Sequence, residues 1–213
     1  MKNIIAKTFT TILIGMVAFL DAQTINRYGT TTANFLEIGV GSRATSMGDA
    51  YVAVANDVSS IYWNPAGLAH VTRSSALFSI QPWLVDIDMM FAGGAFVVPS
   101  LGVIGLGITH LDYGEMDVTN LQYQDGTGER FGASDVAATF TFSRKIVSWF
   151  SFGSSMKYIS SKIWHSSASA FAVDLGVLVN TNFFSFTGKD KDGMNIGMSI
   201  SNYGTRMKYD GID

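Results

Sequence analysis

The chain has 213 residues, of which 47% are hydrophobic, 13% aromatic and only 15% charged, and its formal net charge is −3 at pH 7. A charged share far below the ~25% of average soluble domains leaves few groups to hold a globule in water, and the acidic balance offers nucleic acid no basic footprint. The absence of cysteine excludes disulfide scaffolds, iron–sulfur clusters, cysteine-ligated zinc and thiol catalysis.

At the amino terminus, Lys2 and Lys7 accompany an apolar run from Phe9 to Leu20, followed by Leu20-Asp21-Ala22-Gln23. A basic start, about 7–15 apolar residues and a small residue at the cut describe a secretory signal peptide, so residues 1–22 are expected to be removed after Ala22. The run falls short of the ~20 residues that a membrane-spanning helix needs. Export without cysteine suits a bacterial envelope protein.

Residues 23–73 form the next segment, and within it 32–72 show no alternation of apolar and polar residues. Met47, Ala50, Tyr51 and Val54 fit one face of a short helix over Ala44–Asn56. Asn64 before Pro65 suits an N-cap with proline at the first helical position, so Asn64, Pro65, Ala66 and Gly67 are expected to open a second short helix. A compact, partly helical segment between export signal and strands reads as a plug folded inside a barrel, with a periplasmic tail as the alternative. Gly39-Val40-Gly41-Ser42-Arg43-Ala44 matches a dinucleotide fingerprint, but strands follow strands downstream and no βαβ unit continues it. Asn-Pro-Ala in one copy, outside any helical span, does not make a water channel.

From residue 74 to 213 the pattern changes. Met89 to Leu111 carries no formal charge and would pass for a spanning helix, yet Pro99, Gly93, Gly94, Gly102, Gly105 and Gly107 interrupt it. Its neighbours alternate with period two: Val136, Ala138, Phe140 and Phe142 interleave with Ala137, Thr139 and Thr141; Phe171, Val173, Leu175 and Val177 interleave with Ala172, Asp174 and Gly176. Such segments are strands with one greasy face and one small or polar face. Strands are expected at about 74–82, 87–98, 102–113, 132–145, 149–162, 168–182 and 192–205, separated by turn signals such as Pro99-Ser100 and Asp125-Gly126-Thr127-Gly128. A soluble sandwich would alternate in the same way with the greasy face inward. A polar face of Ser, Thr, Gly and Ala rather than Lys and Glu, together with Trp83, Tyr113, Trp149, Trp164 and Tyr203 near strand ends, favours a transmembrane antiparallel β-barrel in lipid. The fold class is therefore all-β. Seven strands are odd and few for a single-chain barrel, so the chain is expected to be a truncated part of a longer one.

No chemistry of a catalytic kind is indicated. His70, His110 and His165 are scattered, and no nucleophile–base arrangement stands out, so neither catalytic residues, a metal nor a cofactor is expected. Asp112, Glu115 and Asp117 read as a solvated loop rather than as a calcium site, which takes six to eight oxygen ligands. Asp174 on the small-residue face is expected to pair with Arg43 of the plug or with Lys157 on the neighbouring strand, because an unpaired buried charge is costly.

The run from Thr32 to Ala53, containing Glu37-Ile38-Gly39-Val40-Gly41-Ser42-Arg43-Ala44, strongly resembles the PorV/PorQ family, as do Ile61-Tyr62-Trp63-Asn64-Pro65-Ala66-Gly67-Leu68-Ala69 and Leu111-Asp112-Tyr113-Gly114. The resemblance implies an outer-membrane barrel of about fourteen strands, similar to the FadL long-chain fatty acid transporter with its amino-terminal hatch. It implies a role in type IX secretion: accepting cargo with a C-terminal sorting domain from the large translocon barrel and passing it to a surface sortase. The partners expected on this basis are outer-membrane lipid, that cargo and those two components, with no nucleic acid. A FadL-type conduit for hydrophobic compounds is the alternative.

Overall fold

The computed structural model describes residues 32–84, 87–187 and 193–210. The expected signal peptide and residues 23–31 lie outside the described residues. All elements below belong to the unit that begins at Ala33.

Seven antiparallel strands follow one another in a meander: β1 (Ser75–Pro82), β2 (Asp88–Val98), β3 (Gly102–Asp117), β4 (Arg130–Val147), β5 (Phe150–Ile163), β6 (Ser166–Asn180) and β7 (Asn195–Gly204). Each pairs with its sequence neighbours, giving one sheet in the order β1 to β7. The all-β class and the seven expected strands are found, with ends within a few residues of those read from the sequence. The largest extension is at one end of β3 and β4, where pairing resumes beyond a bulge between Asp112 and Glu115. There Gly114 adopts φ 71°, a conformation open to glycine at little cost. With 18 residues at about 3.3 Å each, β4 is roughly 60 Å long, more than twice the ~25 Å apolar band of a membrane barrel even before tilt.

The two faces of the sheet differ as the alternation requires, and their placement excludes a sandwich core built on the greasy face. Phe140, Met156, Leu175 and Met198 are 50%, 60%, 45% and 64% exposed, whereas Thr141, Ser155, Asp174 and Ser143 are buried. A water-soluble sheet would bury the first set. Exposed apolar area on ordinary monomers is confined to patches of a few hundred Å2, and this face runs across all seven strands.

Residues 33–72 cover the buried face. Two one-turn helices, α1 (Ser42–Thr45) and α2 (Ser60–Trp63), and two 3-10 turns, Asn34–Glu37 and Pro65–His70, make up its regular structure. Phe35, Leu36, Val40, Val58, Ile61 and Leu68 of this segment form one apolar core with Met89, Phe91, Val103 and Leu111 of β2 and β3. A second cluster within the segment joins Ala44, Tyr51 and Ala55 to Trp63. The helix expected over Ala44–Asn56 is shorter than its periodicity suggested. Gly48 and Asp49 both take positive φ, 61° and 64°, and Asp49 N–H donates to Ala44 O at 3.0 Å, which turns the chain out of the helix after one turn. Met47 and Val54, assigned to the buried helix face, are consequently exposed.

Candidate functional site: the covered face of the sheet

The segment is seated on the sheet through Asn64 and the turn that follows it. Asn64 Oδ1 accepts from Ala66 N–H at 3.1 Å, capping the Pro65–His70 turn, with Pro65 where no amide proton is needed. Its Nδ2 donates to Val52 O at 2.8 Å and to Val177 O of β6 at 3.2 Å. One buried amide thus caps a turn, ties two parts of the segment together and holds both to the sheet. Farther along the turn, Ala69 N–H donates to Ser143 Oγ of β4 at 3.1 Å, and His70 Nε2 lies 3.1 Å from Ser151 Oγ of β5. Burial, and then the nearby Lys145 ammonium, push the His70 imidazole below its usual pKa.

The sheet makes room for this turn by omitting side chains. A Cβ on Gly153 would strike the Pro65–Ala66 backbone, and one on Gly176 would strike the Asn64 side-chain oxygen and the Pro65 ring. Gly105 and Gly107 of β3 give the same clearance to Ile61 and Leu68. Asn64, Pro65, Ala66 and Gly67 are all buried at this contact.

Beside the turn lies a buried ion pair. Lys157 Nζ of β5 is 2.8 Å from Asp174 Oδ2 of β6, with side chains 3% and 1% exposed. Lys157 also donates to Asn202 Oδ1 at 2.8 Å, and Asn202 N–H donates to Asp174 Oδ1 at 2.7 Å. Asn202 adopts φ 59°, at the point where the β6–β7 register shifts between Val173 and Leu175, so the carboxylate satisfies the amide that the bulge frees. Asn202 satisfies Asp174 Oδ1 and shares the Lys157 ammonium, while Asp174 Oδ2 makes no hydrogen bond among the described residues and is held by the charge of Lys157 alone. Lys157 Nζ stands 5.9 Å from the centre of the Tyr62 ring in the segment above. The Tyr62 hydroxyl serves Leu36 O and Ile38 O at 2.5 and 2.9 Å, and burial followed by the Asp49, Glu37 and Asp174 carboxylates raises its pKa well beyond the usual range, keeping it a donor.

Of the three residues considered for pairing between plug and barrel, Lys157 and Asp174 meet and Arg43 does not join them. Arg43 stays within the segment, 2.7 Å from Asn56 Oδ1 and 3.5 Å from Asp57 Oδ2. Asp57 also accepts from the Tyr51 hydroxyl at 2.8 Å and from Ser59 N–H at 2.9 Å. At the far end of the sheet Arg130 bridges Glu115 and Asp117 at 2.9 and 3.1 Å, while Asp112 Oδ1 accepts from Gly114 N–H. His110 lies on β3, and His165 stacks on Trp164 at 4.6 Å in the β5–β6 turn.

One polar cluster escaped the sequence reading. Asp135 of β4, itself buried, accepts from the Tyr113 hydroxyl at 2.7 Å and from Ser161 Oγ of β5, and Ser161 in turn lies 2.6 Å from the Tyr209 hydroxyl. This chain of hydroxyls pins residues 205–210, which continue beside β6 through Asp210 N–H to Ser167 O at 3.1 Å. An acid on the small-residue face was its only sequence signal. The partners come from three other segments with no fixed spacing.

Among the described residues, no helix is long and apolar enough to cross a membrane, which leaves crossing by strands untouched. No curated protein and no solved structure matches the chain. The family model described as type IX secretion system protein PorV matches residues 21–213, nearly the whole sequence, and the chain belongs to that family.

Proposed function

We propose that the sheet is part of an outer-membrane β-barrel of the type IX secretion system, with residues 33–72 as its hatch. The barrel binds cargo carrying C-terminal sorting domains and passes it to the surface attachment machinery; its role is not enzymatic. The observation that carries this reading is the inversion of the faces from β4 to β6: bulky apolar side chains point away from the covering segment while hydroxyls, glycines and one ion pair lie beneath it. Burying one Phe, Leu or Met side chain is worth about 1.5–3 kcal/mol, so a sheet that exposes many needs hydrocarbon against them. Family membership supplies the secretion system, and β2 to β6, each paired on both sides, satisfy their backbone groups between neighbours, as lipid requires.

Transport of hydrophobic compounds is the competing use of such a barrel. Against it, the covered face beneath Tyr62 and Asn64 is polar and filled, with Lys157, Asp174, Ser143 and Ser151 in contact with partners. Affinity isolation of the full chain from native membranes separates the two. Co-isolation of proteins ending in a sorting domain supports secretion. Recovery of bound fatty acid or hydrocarbon, with no such cargo and no surface sortase, overturns it.

A further inference from the structure

We propose that the outward face of the sheet holds one phospholipid with an ethanolamine headgroup, an acyl chain lying in an apolar groove and the headgroup in the polar pocket that adjoins the groove at Tyr158. The inference rests on the reading of the sheet as a membrane barrel and adds to it one defined lipid at one place.

The groove comes from gaps in the greasy face. Along one row of ladder partners the outward residues run Phe78, Ala92, Ile108, Ala138, Tyr158 and Phe171, large and small in turn. Ala92 and Ala138 leave notches between bulky neighbours, and Gly94, two residues on from Ala92, widens the first. These residues line a cavity of about 790 Å3. That lies within the range of about 300–1,000 Å3 usual for ligand sites.

At Tyr158 the character of the face changes. Two residues farther along β5, about 6.6 Å on, Ser160 pairs with Ser169 of β6, and Lys162 beyond it pairs with Ser167. Tyr158, Ser160, Ser167 and Ser169 line a second pocket, of about 210 Å3, together with Lys208 and Asp210. A tyrosine between an apolar groove and a polar pocket has the place that its ring and hydroxyl favour at a membrane interface. Because this one side chain borders both cavities, a molecule with a long apolar body and a compact polar end fills the two together.

The charges select the headgroup. Lys208 and Asp210 are exposed, and neither enters any of the ion pairs found among the described residues. The Lys208 ammonium and the serine hydroxyls offer donors to a phosphate, with Lys162 across the ladder from Ser167. The Asp210 carboxylate offers an acceptor to a primary ammonium. Phosphoethanolamine supplies both partners. Phosphatidylglycerol brings no cation to Asp210, and the methylated nitrogen of phosphatidylcholine has no proton to donate to it.

Full chain refolded into detergent micelles and offered palmitoyl-oleoyl phosphatidylethanolamine, phosphatidylcholine or phosphatidylglycerol at equal concentration tests this, with bound lipid counted by native mass spectrometry. One phosphatidylethanolamine per chain should be retained about tenfold more strongly than either other lipid, the worth of one charge-assisted hydrogen bond. Lys208→Gln/Asp210→Asn should erase that preference. Ala92→Phe, which fills the groove, should weaken retention of all three lipids, and Arg144→Gln, on β4 toward the other end of the sheet, should change nothing. Equal retention of the three lipids overturns the inference, and so does a preference that survives Lys208→Gln/Asp210→Asn. Displacement by soluble glycerophosphoethanolamine as readily as by the complete lipid also overturns it, because the groove would then contribute nothing. A chain that never becomes protease-protected in bilayers overturns the barrel reading and this inference with it. A protected chain without the preference overturns this inference alone.

Discussion

Replacing Asn64 by alanine should free the covering segment without unfolding the sheet. The side chain is fully buried and makes three hydrogen bonds, to Val52 O, to Val177 O and from Ala66 N–H. At a net contribution of about 1 kcal/mol each, their loss amounts to about 3 kcal/mol, or roughly a 100-fold rise in transient opening of the segment. Hydrogen exchange reads this directly. Amides of residues 60–70 should exchange about 100-fold faster, while those in the β4–β5 ladder keep their protection. Asn64→Asp sharpens the test, because aspartate caps a helical turn as well as asparagine does but turns a carboxylate onto two carbonyl oxygens. The tethering role predicts at least as large an effect as in Asn64→Ala. If Asn64→Asp behaves like the wild type, Asn64 is only a cap; if both variants change exchange by less than about threefold, ~0.6 kcal/mol, the seating described above is wrong.

The remaining predictions concern the same interface. Gly176→Ala sets a methyl against Asn64 and Pro65 and should cost about 1–3 kcal/mol in denaturant titrations, whereas Gly94→Ala on the outward face, where Phe96 is the nearest side chain at 3.4 Å, should be nearly silent. Lys157→Met strands the buried Asp174 carboxylate and should cost about 3–5 kcal/mol; adding Asp174→Asn, which keeps an acceptor for Asn202 N–H, should recover a large part of that loss in the same titration. The His70 pKa is lowered in the folded chain, so the unfolded chain takes up the proton first as pH falls. Its contribution to stability is therefore present above the unfolded value of about 6.5 and is lost as pH falls from there towards the lower folded value. His70→Gln should flatten that acid limb of the melting-temperature profile.

The strands could be read from the chain wherever the two faces differ in polarity. From β4 to β6 the outward Phe, Met, Val and Leu alternate with inward Ser, Thr, Ala and Gly, and the expected ends fall close to the observed ones. Across β2 and β3 the alternation is masked, because Met89, Phe91, Val103 and Leu111 face the apolar core of the segment while Phe96, Leu106 and Ile108 face outward. That double apolarity is why Met89–Leu111 imitates a spanning helix. The Lys157–Asp174 pair was within reach of parity alone, since both lie on the small-residue face of adjacent strands. Arg43 was not, because its partners depend on the left-handed turn at Gly48 and Asp49 that redirects the chain, and on Asp57. Tyr113, Ser161 and Tyr209 are brought to Asp135 by register and by the bulges, neither of which leaves a periodic trace.

Nitroxide labels placed one at a time at outward positions 108, 140, 156 and 171 and at inward positions 109, 141, 155 and 170, in chain reconstituted into bilayers, probe the orientation of the faces most directly. Spin relaxation by oxygen and by a water-soluble nickel chelate then distinguishes hydrocarbon from water. Hydrocarbon against the greasy face predicts strong relaxation by oxygen and weak relaxation by nickel at every outward site, with neither reagent reaching the inward sites beneath the segment. Nickel relaxing the outward labels as strongly as it does labels in free solution would contradict it.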